Sequence, residues 1–115
     1  MIELYGIPNC DTVKRARKWL EANGIAYAFH DYKKEGADPA RLEAWIAAVG
    51  LEAVVNTRGM TFRKLTEAQK AAAQDSHTAV AVLVQHPSMI KRPVVEHPGG
   101  ILTGFKEETW SATLS

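Results

Sequence analysis

At 115 residues, with fourteen Lys and Arg against thirteen Asp and Glu for a formal charge of +1, the chain has room for one modest core and no global pull toward nucleic acid or membrane. Its 46% apolar and 23% charged residues exclude a disordered composition, and no apolar run reaches the roughly 18 residues of a membrane-spanning helix. A single cysteine excludes a disulfide framework and fits a reducing compartment, so a cytoplasmic location is expected.

The N-terminal stretch MIELYGIPNCD carries Glu3 and Pro8 where a secretory signal would have basic residues and then a continuous apolar run. Ile2 to Tyr5 reads as a strand that ends in the turn formers Gly6-Ile7-Pro8-Asn9. From Asp11 the apolar positions Val13, Ala16, Trp19 and Leu20 recur at helical spacing, and Asn23-Gly24 supplies the stop. Ala26 to Tyr32 alternates as a second strand would, with Tyr27, Phe29 and Asp31 on one side and Ala28, His30 and Tyr32 on the other. Strand, helix and strand in that order predict an α/β fold with a parallel pair joined by a right-handed crossover.

The middle of the chain changes character. Asp38-Pro39 is a helix start, an N-cap followed by proline in the first turn, and Leu42, Trp45, Ile46 and Val49 line one face before Gly50 ends it. Thr66-Glu67-Ala68-Gln69 matches the reciprocal capping box, which places a second helix start near Glu67. Residues from about 38 to 87 therefore read as a helical insertion. The segment TAVAVLVQHP, Thr78 to Pro87, stays ambiguous, because its valines favour a strand while its length and flanks permit a buried helix. Beyond it, VVEH and ILTGF read as a hairpin, and a short helix is expected across Glu107 to Leu114.

Cys10 is the residue with the clearest chemical potential. Free cysteine often fills a core as a small apolar group. Here it falls where strand hands over to helix, and backbone N–H groups and the helix dipole at such a position favour a thiolate. Lys14 and Arg15 add positive charge one turn on. Four histidines, His30, His77, His86 and His97, show no metal-ligand spacing relative to Cys10, so no metal is expected and the histidines read as surface or satisfied core residues. A Cys-His protease has only the bare presence of both residue types behind it. A phosphatase-like Cys-x5-Arg loop fails because Ala16 stands where the arginine should be. A dithiol needs Cys-x-x-Cys, and the fourth position is Val13. A lone nucleophilic cysteine can attack a disulfide, but a thiol from another molecule must resolve the adduct, and in the cytoplasm glutathione is the abundant one.

Four motifs in order, Tyr5-Gly6-Ile7-Pro8-Asn9-Cys10-Asp11-Thr12, Asn56-Thr57-Arg58-Gly59, Lys91-Arg92-Pro93-Val94-Val95 and Gly100-Ile101-Leu102-Thr103-Gly104-Phe105, resemble the ArsC/Spx family and, within it, the YffB-like branch. The resemblance runs essentially end to end. It implies a thioredoxin-like sheet with a helical insertion in one domain spanning 1–115, a helix for Thr78 to Pro87, and a cis proline at Pro93 beside the reactive thiol. It carries the family's nucleophile onto Cys10 and two anion-binding arginines onto Arg58 and Arg92, with Asn9 and Pro93 completing the expected substrate- and glutathione-binding set. A third arginine of the arsenate reductases is replaced by Gly104. The implied activity is a glutathione-dependent thiol reductase that uses one cysteine and no bound cofactor, with glutathione as co-substrate and an oxidised thiol or small oxidised molecule as partner. The expected protein is a monomer that engages neither nucleic acid nor membrane. Arsenate reduction and a non-enzymatic, Spx-like RNA polymerase-binding role are the alternatives the resemblance leaves open.

Overall fold

The computed structural model describes residues 2–114, which divide into two compact units. The first comprises residues 2–32 together with 92–114, and the second is Lys33–Lys91.

In the first unit, β1 (Ile2–Gly6), α1 (Asp11–Ala22) and β2 (Tyr27–Asp31) are followed, after the second unit, by β3 (Val94–His97), β4 (Gly100–Thr103) and α8 (Glu107–Leu114). The sheet order is β2-β1-β3-β4, with β1 and β2 parallel and the pairs β1–β3 and β3–β4 antiparallel. This is the strand–helix–strand then hairpin and helix order of the thioredoxin-like sheet. Register aligns Phe29, Leu4, Val95 and Leu102 in one row across all four strands. Period-two alternation puts that row on one face, where Leu4 and Val95 are fully buried with Val13, Ala16 and Leu20 of α1 and Trp110 of α8. The three α1 residues fall at i, i+3 and i+7, which is why this helix lies flat on the sheet. Burying each large aliphatic of this cluster is worth roughly 1.5–3 kcal/mol.

Contact between β1 and α1 depends on Gly6. A Cβ there would sit 2.9 Å from Cγ2 of Val13, so the missing side chain lets the strand end pass under the helix start and fixes where Cys10 emerges. The sheet's other face carries a polar cluster beside buried Val94. Tyr5 stacks on His30 at 4.6 Å, His30 Nε2 lies 2.8 Å from Glu3 Oε1, and the Tyr5 hydroxyl donates to Glu96 Oε1 at 3.2 Å. His30 is thus a satisfied histidine on the sheet.

A helical turn, α2 (Tyr32–Glu35), leads from β2 into the second unit, which holds α3 (Pro39–Val49), α4 (Leu51–Val54), α5 (Met60–Arg63), α6 (Glu67–Ala73) and α7 (Ala79–Gln85). The Ala40 N–H donates to the Asp38 carboxylate at 3.1 Å, as an N-cap requires. Thr66 and Gln69 exchange both bonds of the capping box, at 3.1 and 3.0 Å. The ambiguous Thr78 to Pro87 segment is helical because Ala79, Val82 and Leu83, at i, i+3 and i+4, bury one stripe, and tertiary burial overrides the β preference of its valines. Beyond α7, an isolated bridge pairs Val55 with Ile90, flanked by bonds from the Asn56 N–H to the Met89 carbonyl and from the Lys91 N–H to the Val54 carbonyl, both 2.7 Å. No helix among the described residues is long and apolar enough to cross a membrane.

Candidate functional site

Cys10 is the N-cap of α1, with extended backbone at φ −119° and ψ 126°. The turn residues Pro8 and Asn9 before it are exposed, whereas the thiol is half-buried against the edge of the apolar cluster. Its carbonyl accepts the first helical bond, from the Lys14 N–H at 2.9 Å. The thiol makes no formed capping bond, but the N–H groups of Thr12 and Val13 are directed at the sulfur and favour its charged form.

Arg92 comes to the same sulfur from the far end of the chain. The Arg92–Pro93 peptide is cis, Pro93 is fully buried at the entry to β3, and β3 pairs with β1, the strand that leads into Cys10. The Arg92 guanidinium hydrogen-bonds the Cys10 sulfur and also the hydroxyl of Tyr32. Burial pushes the thiol up, but the Val13 N–H, the Arg92 hydrogen bond, the Thr12 N–H and the Arg92 charge together outweigh it. The net shift is downward, which favours the thiolate.

Of the residues singled out in the sequence, the first unit thus brings Cys10, Arg92 and Pro93 together and leaves Asn9 exposed in the turn before them. Arg58 belongs to the second unit. It is exposed, and its N–H donates to Asn56 Oδ1 at 3.0 Å, which fixes the turn that presents it. Arg58 and Lys91 help line a cavity of about 560 Å³, together with the polar Glu52, Asn56, Thr57 and Gln74 and the apolar Leu51 and Val55. Two cations and two side-chain amides against the single carboxylate of Glu52 leave this lining with a net positive charge.

Tyr32 was not legible as a site residue. It is 3% exposed immediately after β2, and burial pushes its hydroxyl up, so it stays protonated. In the sequence it is only the last residue of an alternating run. At Gly104 the backbone is left-handed, φ +71°, its N–H donates to the Pro93 carbonyl at 2.8 Å, and its carbonyl accepts from Trp110 Nε1 at 3.1 Å. Among the described residues, no group of three or more His, Cys, Asp or Glu is placed to hold a metal ion.

Residues 5–113 match the ArsC family. A solved structure of the YFFB protein superposes with a TM-score of 0.94 at 49% identity, covering 100% of both chains. An arsenate reductase (ArsC) related protein from Brucella melitensis gives a TM-score of 0.75 at 45% identity, over 99% of this chain and 94% of that one. An uncharacterized protein of Haemophilus influenzae is 41% identical over the full length of both. The global transcriptional regulator Spx 1 of Lactococcus lactis is 26% identical over 99% of this chain and 89% of its own.

Proposed function

The chain belongs to the ArsC family, and on that premise we propose that it is a cytoplasmic, glutathione-dependent thiol reductase that works through a single cysteine. The observation that carries this reading is the Cys10 thiol at the α1 N-terminus, held by Arg92 and lowered in pKa, in a chain with no second cysteine. Such a thiol is a ready nucleophile that must borrow its resolving partner.

In the first step the Cys10 thiolate attacks the glutathionyl sulfur of a disulfide R–S–S–G. An S–S bond forms to Cys10 as the substrate's S–S bond breaks, and R–S⁻ leaves and takes a proton from water. In the second step an external glutathione thiolate attacks the glutathionyl sulfur of the mixed disulfide, oxidised glutathione departs, and the electron pair returns to the Cys10 sulfur. The substrate is reduced by two electrons and two glutathiones are joined. Arg92 stabilises the Cys10 thiolate as nucleophile at the start and as leaving group at the end. Its planar fork, with the exposed turn at Asn9, is assigned to the carboxylates of the glutathionyl group, and Pro93 to the wall beside the sulfur. No bound cofactor enters the cycle, and a monomer suffices for it.

Arsenate is disfavoured as substrate by Gly104, because a compact oxyanion joined to a thiolate needs dense positive charge. A paired assay tests this, with a glutathionylated disulfide and arsenate as substrates, glutathione as reductant, and Cys10→Ser as the control. Disulfide turnover that Cys10→Ser abolishes, with little or none on arsenate, supports the assignment; efficient arsenate turnover moves it to arsenate reductase. The Spx likeness supports a second reading, a polymerase-binding regulator, which predicts capture of RNA polymerase by the immobilised chain and no glutathione turnover.

A further inference from the structure

We propose that Tyr32 is a positioning residue for the thiol chemistry: its buried hydroxyl oxygen accepts a hydrogen bond from the Arg92 guanidinium and holds that group against the Cys10 sulfur. Arginine has only donors, so the fork needs acceptors on the protein to fix its plane. The Cys10 sulfur and the Tyr32 oxygen both serve it. The sulfur serves well only while it is a thiolate, since a disulfide sulfur is a weak acceptor. Once the mixed disulfide forms, Tyr32 remains an acceptor that keeps Arg92 in place for the return step.

The fold makes Tyr32 a firm anchor. It is 3% exposed, and it directly follows β2, which pairs with β1 up to Gly6 and Asp31. Arg92 enters β3 on the opposite side of β1. The central strand thus fixes the distance between anchor and arginine. The charged or titratable groups acting on this cluster are Arg92 before β3, Asp31 at the end of β2, Tyr32 directly after it, and Cys10 itself, with exposed Asp11, Lys14 and Arg15 on its own helix. The inference concerns the thiol and does not depend on which disulfide it reduces.

The experiment follows alkylation of Cys10 by iodoacetamide across pH, in the parent, Tyr32→Phe, Arg92→Ala and the double variant. Tyr32→Phe keeps the ring, so the fold is checked by its circular dichroism. The expected result is a fall of about three- to tenfold in the alkylation rate at neutral pH, the factor a weakened charge-assisted hydrogen bond carries, with the midpoint of the profile moved up. In the Arg92→Ala background the same substitution should change nothing. An unchanged profile in Tyr32→Phe, or an equal loss with and without Arg92, overturns the proposal. The unmutated protein gives a second reading: after Cys10 is capped with iodoacetamide, the Arg92 side-chain ¹⁵N resonances should still report hindered guanidinium rotation. Free rotation in the capped protein would overturn the proposal even if Tyr32→Phe did not fold.

Discussion

Replacing Gly104 with alanine isolates a backbone effect at the edge of the site. Its φ of +71° lies in the left-handed region, and a Cβ built there meets nothing within 4 Å. Steric clash with the surroundings therefore contributes nothing, and the whole penalty comes from the residue's own Cβ against its carbonyl, about 1–2 kcal/mol. The bend cannot relax cheaply, because the Gly104 N–H is bonded to the Pro93 carbonyl at 2.8 Å and its carbonyl to the Trp110 indole at 3.1 Å. For a domain of this size each 1 kcal/mol moves the melting temperature by about 4 °C, so Gly104→Ala should melt about 4–8 °C below the parent. Gly104→Arg should fall by the same amount, since its side chain enters open space, and Gly104→Asn by less, because asparagine tolerates this conformation. Differential scanning calorimetry on the four proteins decides it. An alanine variant that melts with the parent would refute the argument. The alanine variant is also the proper reference for any arsenate activity gained by Gly104→Arg, since both carry the same strain.

Gly6→Ala should destabilise by about 1–3 kcal/mol in urea unfolding, because its Cβ would press to 2.9 Å of Val13 and push α1 off the sheet; a neutral effect would show that the strand end can yield. Arg92→Lys keeps the charge but loses the fork, and disulfide turnover should drop about tenfold to a hundredfold; parent-like rates in both Arg92→Lys and Arg92→Ala would make the residue purely structural. The lowered Cys10 pKa also predicts a pH-dependent stability. A group depressed in the folded state stabilises above its unfolded value, about 8.5 for cysteine, and the gain is lost as pH falls through the folded value. The stability difference between parent and Cys10→Ser should therefore widen from acid to mildly alkaline pH, and a difference that stays flat or narrows would contradict the assigned shift.

What could be read in advance follows the range of the forces involved. The Asp38 N-cap, the Thr66–Gln69 capping box and the α1 stripe of Val13, Ala16 and Leu20 are local signals, and the elements stand where they point. The TAVAVLVQHP segment was undecidable because its conformation is set by what Val82 and Leu83 are buried against and not by their own preferences. At the site, Cys10 was legible from the strand-to-helix handover, whereas Arg92 depended on family resemblance. Its partner Tyr32 left no trace in the sequence, because the contact exists only through β1, which spaces β2 from β3. The left-handed bend at Gly104 was hidden for the same reason, since its bonds reach back to Pro93 and forward to Trp110.

The central claim is that Cys10 cycles through a mixed disulfide with glutathione, and intact-protein mass spectrometry tests it most directly. Equilibrating the protein with oxidised glutathione should give a single glutathionyl adduct, mapped by peptide digestion to Cys10 and removed by excess reduced glutathione. A protein that stays unmodified under those conditions, or an adduct that reduced glutathione cannot remove, would contradict the account.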